Sequence, residues 1–502
     1  MQKLYRALFL ILLTIIIIFS AWPILNGNID FHTDIARDFL LLDDVYYNKN
    51  FTLIGPRSGG IPGVFHGPMW LYINLPAYIL GGGNPVAVGW FWVLLFVISV
   101  GVVYEVSRRM FDEKTGMIAS LVYSSAYGSS VYAFFNPSGA VLLFPIFFYL
   151  FWLFIKKDNP LVLAAAMFIL GCIIQFQMAF GVPILILIAP YLLFRTIIKK
   201  KWINLLMMLV IIVPTSSYIL FEMRHDFLQI RSVLGYLNGA ENAGKVYMPF
   251  RDLLYQRLNF LMNDSLGMIT YDILWLTFFV GFSLVFAMIK EVKKINLSDK
   301  YLLFAYLLGG FWALTLAYKG VIWGYYYIPF VGIVAIFFAS TYKYFNKKVF
   351  AILLTALLIN NMQVLYWKTA DQDFTQGHWL FFKDAAQRVF NDAPSEFGYY
   401  IYTTDQYGYS SRYAMNYLDR LNPDKTAYPY QKKPVTYLMI DDPGDHEFTN
   451  HMTWKTYDVR IATGPASVQP VSKTYKIERY NLTEEELAVE SNPFMLNSII
   501  FR

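Results

Sequence analysis

A stretch of nine residues, Asp30-Phe-His-Thr-Asp34-Ile-Ala-Arg37-Asp38, places three carboxylates, a histidine and a guanidinium directly after the first apolar run of the chain. Thr33 is placed to cap a helix starting near Asp34. On that helix Ile35, Phe39, Leu42 and Tyr46 make one apolar face, while Asp34, Arg37 and Asp38 share another. Two readings stand side by side. Acids favour a helix N-terminus and Arg37 is the i+3 partner of Asp34, which makes a structural ion pair. Alternatively, Asp34 is a general base with a positioned neighbour. Asp43-Asp44, further along, reads as a solvated helix end. His66, between Phe65 and Gly67-Pro68, has the chemistry for metal or phosphate, although a lone histidine more often satisfies backbone groups.

These groups must be held by membrane elements. The 502 residues are 57% hydrophobic and 19% aromatic but only 15% charged, against about half apolar and a quarter charged in a soluble domain. Apolar runs recur from Leu8 to Trp367, whereas the remainder has ordinary polar composition. The net charge of +6 is modest, and the basic residues lie between apolar runs, which argues against nucleic-acid binding. The single cysteine, Cys172, excludes an intrachain disulfide and a Cys-rich zinc site. An integral membrane protein remains.

With about 20 apolar residues needed per crossing, eleven spans are expected: Leu8–Leu25, Asn84–Val106, Met117–Phe135, Gly139–Ile155, Leu161–Met178, Val182–Phe194, Ile203–Phe221, Ile273–Ile289, Tyr301–Ala317, Tyr326–Thr341 and Val349–Trp367. His66 to Gly83 is expected as a helix lying at the outer surface. Alternate loops carry Lys3 and Arg6, Arg108 and Arg109, Lys156 and Lys157, Lys199 to Lys201, Lys293 and Lys294, and Lys347 and Lys348. Positive-inside logic then puts the N-terminus in the cytoplasm and the tail outside. Among the short outer turns, Lys319 is the one basic residue. Three segments face outward: Asn26–Gly83, Glu222–Asp272 and the tail Thr369–Arg502. The tail alternates helix (Gln376–Asn391), strand (Gly398–Thr404), helix (Ser410–Leu421) and strand (Val435–Asp441), and is expected to be a small α/β domain. The spans are nearly free of ionisable groups, which argues against a transporter.

Asp34-Ile-Ala-Arg37-Asp38, then Leu53-Ile-Gly-Pro-Arg57, then Phe65-His66-Gly67-Pro68-Met-Trp-Leu-Tyr72 resembles the first outer loop of the GT-C glycosyltransferases. The likeness is to the bacterial and archaeal branch related to protein O-mannosyltransferases and the lipid A aminoarabinose transferase. Phe221-Glu222-Met-Arg224-His225-Asp-Phe227 and Tyr325-Tyr-Tyr-Ile-Pro329 resemble further motifs of these proteins. Asp34-Ile35 replaces the usual Asp-Glu pair, and His66 stands where the aminoarabinose enzyme has an acidic metal ligand, so a divalent metal is left open.

The resemblance implies a polytopic helical GT-C-like domain over residues 1–368 and an extracytoplasmic α/β domain over 369–502. It implies an inverting transfer from a polyprenyl-phosphate-linked sugar to a lipid, glycan or protein acceptor at the outer face of a prokaryotic plasma membrane. Asp34 would be the general base. Arg37, Arg57, Arg224, His225 and Lys319 would bind the donor phosphate, with Asp38, His66, Glu222, Tyr325 and Tyr326 as further site residues. The tyrosine run Tyr325 to Tyr327 reads otherwise as an interfacial aromatic belt. The rival readings are a ligase or polymerase using pyrophosphate-linked glycans, a lipid or polysaccharide transporter, and a degenerate member acting as a receptor.

Overall fold

The structure is a computed structural model and describes residues 2–58, 60–238, 248–271, 273–293, 296–318, 322–370, 376–405, 407–442 and 450–495. It is predominantly helical, with one five-stranded sheet near the C-terminus. Among the described residues, eight helices are long and apolar enough to cross a membrane: Lys3–Leu25, Pro85–Met110, Pro137–Lys157, Met178–Lys199, Ile203–Arg224, Leu274–Glu291, Lys300–Ala317 and Lys347–Lys368. The other three expected spans are occupied by shorter helical segments, Glu113–Tyr127, Pro160–Phe176 and Ile328–Lys343. At 1.5 Å per residue, 17 residues reach only about 26 Å. Every residue of Val331–Ser340 is buried by protein. Hydropathy alone does not distinguish such a packed core segment from one that faces lipid.

The connections between helices put cations at one end of the bundle. Arg6 pairs with Glu113, Lys343 with Asp112, and Arg195, Lys199 and Lys201 converge on Asp158. Helix Gln2–Leu25 runs from this end to the other, where the first loop and the sheet domain meet. In the first loop, helix Thr33–Tyr46 packs on Met69–Leu80. The latter has 12 residues, too short to cross, and occupies the stretch expected as a surface helix.

The sheet domain contains β1 (Glu396–Tyr402), β2 (Thr426–Pro429), β3 (Val435–Asp441), β4 (Ser467–Pro470) and β5 (Tyr475–Asn481) in the order β2-β1-β3-β5-β4. β1 runs parallel to β2 and β3, and β5 runs antiparallel to β3 and β4. Strand alternation divides the residues by face. Phe397, Tyr399 and Ile401 join the main core with helices Trp379–Asp392 and Tyr409–Leu421, while Tyr400 and Tyr402 join a separate cluster with Leu438 and Ile440. The domain is tied to the first loop through backbone. Trp379 N–H donates to Ile29 O, Phe31 N–H to Gly377 O, and the Ser410 hydroxyl to Phe31 O.

Candidate functional site

Helix Thr33–Tyr46 begins at His32, whose side chain makes no cap hydrogen bond. Thr33 does not cap it either, which corrects the sequence expectation. Its hydroxyl donates instead to Asp405 Oδ2 at 2.6 Å, across to the sheet domain. Arg37 spans two carboxylates: Nη1 donates to Asp34 Oδ1 at 2.8 Å, and Nε and Nη2 reach Asp38 Oδ1 at 3.1 and 3.0 Å. Trp70 Nε1 holds the other oxygen of Asp38 at 2.7 Å. Asp38 is only 3% exposed, and burial pushes its pKa up to about 6 against the pull of Arg37. The Asp34 side chain is 52% exposed. The three residues thus form a graded unit in which a buried acid fixes a guanidinium, and the guanidinium orients a solvent-facing acid.

The expected two-faced helix is wrong in one respect. Asp38 and Asp43 are buried together with Leu40 and Leu41, so the helix is enclosed nearly all round. Asp43 is no solvated helix end: it accepts the Tyr78 hydroxyl and Arg420 Nη1, the latter at 2.9 Å. Sequence patterning missed this because the partner lies 377 residues away. Asp44 is satisfied locally by the amides of Asn48 and Asn50.

His66 sits on a tight loop. Gly55 N–H donates to His66 O and His66 N–H to Pro56 O, while Arg57 and Phe65 form an antiparallel bridge. Gly67 N–H donates to Gln175 O, and a Cβ on Gly67 would lie 1.8 Å from Gln175 Oε1, so the close approach requires glycine. His66 Nδ1 is buried without a hydrogen-bond partner. Burial, helped by Arg37 and opposed by Asp34, lowers its pKa to about 4, which keeps the ring neutral at physiological pH. The three side chains are therefore near enough to feel one another's charge.

An apolar groove of about 280 Å³ runs from His66 and Phe65 past Val182 and Phe311 to Tyr318 and Tyr326. Tyr326 and Tyr327 are buried, which replaces the expected interfacial belt. The Tyr325 ring meets Phe135 edge-on at 5.5 Å and Tyr326 at 4.9 Å. Burial raises its hydroxyl pKa, with Asp34 adding and Arg37 opposing, so Tyr325 belongs to the Asp34 neighbourhood. Sequence reading missed two other contributors. Arg257, buried on helix Phe250–Leu261, donates to the carbonyls of Thr315 and Tyr318 behind the groove wall. His32 Nδ1 donates to Asp30 Oδ1, 3.2 Å away, and its pKa is raised by Asp30, Asp34 and Asp38 against the lowering effect of burial. The position of His32 within the acidic motif was its available signal.

Arg57 and Arg224 are exposed, and His225 stacks on Phe221 and bonds its carbonyl. Glu222 receives the N–H groups of Gln229 and Ile230, capping helix Leu228–Leu237. Gln229 Oε1 in turn accepts Phe65 N–H, so Glu222 braces the loop beside His66. Lys319 lies outside the described residues. No group of three or more His, Cys, Asp or Glu able to hold a metal occurs among the described residues.

The fold has counterparts among solved structures. ArnT from Cupriavidus metallidurans in the apo state aligns with 95% of this chain and 98% of its own, at 10% identity and a TM-score of 0.60. The chain has the GT-C glycosyltransferase fold. ArnT bound to undecaprenyl phosphate shares this fold equally well, with 11% identity, 96% and 98% coverage and a TM-score of 0.60. Residues 65–221, from the His66 loop to the end of a membrane helix, match the family model of dolichyl-phosphate-mannose-protein mannosyltransferase. No curated protein matches the sequence. In the GT-C fold of this chain, the Asp34 helix meets the sheet domain through Thr33 and Asp405, and the His66 loop lines the groove among the membrane helices.

Proposed function

We propose that this chain is a membrane glycosyltransferase that moves a sugar from a polyprenyl phosphate to an acceptor hydroxyl at the outer face of a prokaryotic plasma membrane. Residues 1–368 form the catalytic membrane module and 369–502 the outer domain, with the N-terminus cytoplasmic. One observation carries the reading: a half-exposed carboxylate, Asp34, is locked by Arg37 and buried Asp38 close to His66, whose neutral imidazole lines an apolar groove. The groove suits an isoprenoid chain. The likeness to a protein crystallised with undecaprenyl phosphate supports that choice of donor.

The proposed step is an inverting displacement. Asp34 takes the proton of the acceptor hydroxyl as its oxygen attacks the anomeric carbon. The bond from that carbon to the phosphate oxygen breaks, and the electron pair leaves with the polyprenyl phosphate. The unpartnered Nδ1 of His66 is available to donate to a phosphate oxygen when the neutral ring carries its proton there. Arg37 contributes fixed positive charge where negative charge grows.

Reconstituted vesicles supplied with radiolabelled polyprenyl-phosphate sugars test the reading. Asp34→Asn is expected to lose about 10²- to 10⁴-fold in turnover, as removal of a general base does, while still binding donor lipid. Transfer at the wild-type rate would remove Asp34 from the mechanism.

A further inference from the structure

The sheet domain has a cleft of its own, of about 330 Å³, at the carboxyl end of β1. The carboxyl end of β1 leads to β2 on one side, while that of its neighbour β3 leads to β4 and β5 on the other, so the connections diverge between these two parallel strands. Divergent crossovers open a crevice beyond the carboxyl ends of parallel strands. Tyr402 and Thr403 form one wall of the cleft, and Trp454, Asn450, Asp458 and Asn492 form the other. The Tyr402 and Trp454 rings lie 5.3 Å apart at 52°. Tyr402 is only 6% exposed, yet its hydroxyl has no hydrogen-bond partner among the described residues. A buried orphan hydroxyl is costly unless something supplies a partner.

The chemistry of the lining selects the ligand. Aromatic faces receive the C–H face of a pyranose, and amide and carboxylate groups match its hydroxyls. Among the described residues lining the cleft there is no Lys, Arg or His, which disfavours phosphate or another polyanion. A second cavity of about 440 Å³ shares Tyr430, Asn492 and Met495 with the first, so the surface extends beyond a single ring, and the lysine lining it, Lys432, already donates to the carbonyls of Arg460, Glu486 and Val489. One carboxylate joins this cleft to the membrane module. Asp405 accepts the Thr403 hydroxyl on Oδ1 and the Thr33 hydroxyl on Oδ2, each at 2.6 Å, and Thr33 precedes Asp34.

We infer that the cleft at Tyr402 and Trp454 binds the neutral saccharide portion of the acceptor. The inference rests on the transferase reading for its purpose, but its binding test does not require turnover. Full-length protein in lipid nanodiscs is titrated with cellobiose and N,N′-diacetylchitobiose, and with their sulfated forms, in the absence of donor lipid. Saturation-transfer NMR is expected to show saturable binding of at least one neutral disaccharide. That binding weakens at least about tenfold in Trp454→Ala and about threefold in Tyr402→Phe, and is unchanged in Asp34→Asn. In transfer assays Tyr402→Phe raises the acceptor KM with kcat retained. Tyr402→Phe keeps the ring and so answers the question even where Trp454→Ala does not fold. Three outcomes overturn the inference: no saturable neutral sugar, preference for the sulfated forms, or binding that neither substitution alters. An inactive cleft beside an active Asp34, or the reverse, separates this inference from the transferase reading.

Discussion

Asp38 carries the strongest pH dependence in the site. Its folded pKa of about 6 lies above the ordinary carboxylate value because burial penalises its charge. Protonation removes the charge that holds Arg37 and loosens Asp34. The acidic limb of transfer activity is therefore expected near pH 6 in wild type and absent from Asp38→Asn, which is slower throughout. The stability effect has the opposite sign. A carboxyl whose pKa rises on folding stabilises the native state when protonated, and that advantage disappears as pH rises through about 6. Melting curves of wild type against Asp38→Asn should show the wild type losing relative stability between pH 4 and 7. A constant difference would mean that Asp38 does not titrate in this range. Trp70→Phe removes the N–H that satisfies Asp38 Oδ2 and is expected to destabilise by about 1–3 kcal/mol, read as a lowered Tm.

At the scale of elements, the His66 loop is set by contacts that the motif Phe65-His66-Gly67-Pro68 only hints at. Gly67 packs against the Gln175 backbone, and Gln175 Nε2 donates to Pro214 O and Ser217, so two helices meet behind one glycine. Gly67→Ala has no room for its methyl group and must push the loop or Gln175 aside. Overpacking of this kind costs about 1–3 kcal/mol. The expected result is a lower Tm with donor affinity reduced at least severalfold, because His66 moves with the loop. Donor binding at wild-type strength in a folded Gly67→Ala protein would count against His66 in the donor groove. The gap between eleven expected spans and eight long apolar helices has the same origin. Val331–Ser340 and Glu113–Tyr127 are apolar because protein surrounds them.

Across the whole molecule, the sheet domain is fastened to the first loop by a buried charge pair. Arg420 Nη1 meets Asp43 Oδ2 at 2.9 Å, its guanidinium lies over the Tyr47 ring at 4.6 Å, and Tyr78 donates to the same carboxylate. Removing one member of a buried pair strands the other charge and typically costs about 3–5 kcal/mol. Arg420→Ala should therefore make the tail susceptible to limited proteolysis and lower transfer, with Asp43→Asn/Arg420→Gln less affected than either alteration alone. Equal protease resistance in Arg420→Ala and wild type would show that the backbone contacts suffice. Topology is checked on the same scale. Cys172 is the only cysteine and is buried, so a cysteine introduced in the tail reports with little background. It should react with an impermeant maleimide in intact cells, and protection would invert the proposed orientation.

The sequence by itself determined the class. Apolar length and composition dictate membrane helices, period-two and helical patterns mark the α/β tail, and the spacing Asp34, Arg37, Asp38 puts an ion-paired unit on one helix, since i+3 neighbours meet whatever surrounds them. Tertiary structure alone decided which charges are buried and whom they meet. Asp43 with Arg420, Thr33 with Asp405, and His66 beside Arg37 each join residues whose proximity depends on packing between distant segments. Periodicity reports the neighbours along one element; burial, and the pKa shifts that follow from it, are set by everything that folds against that element.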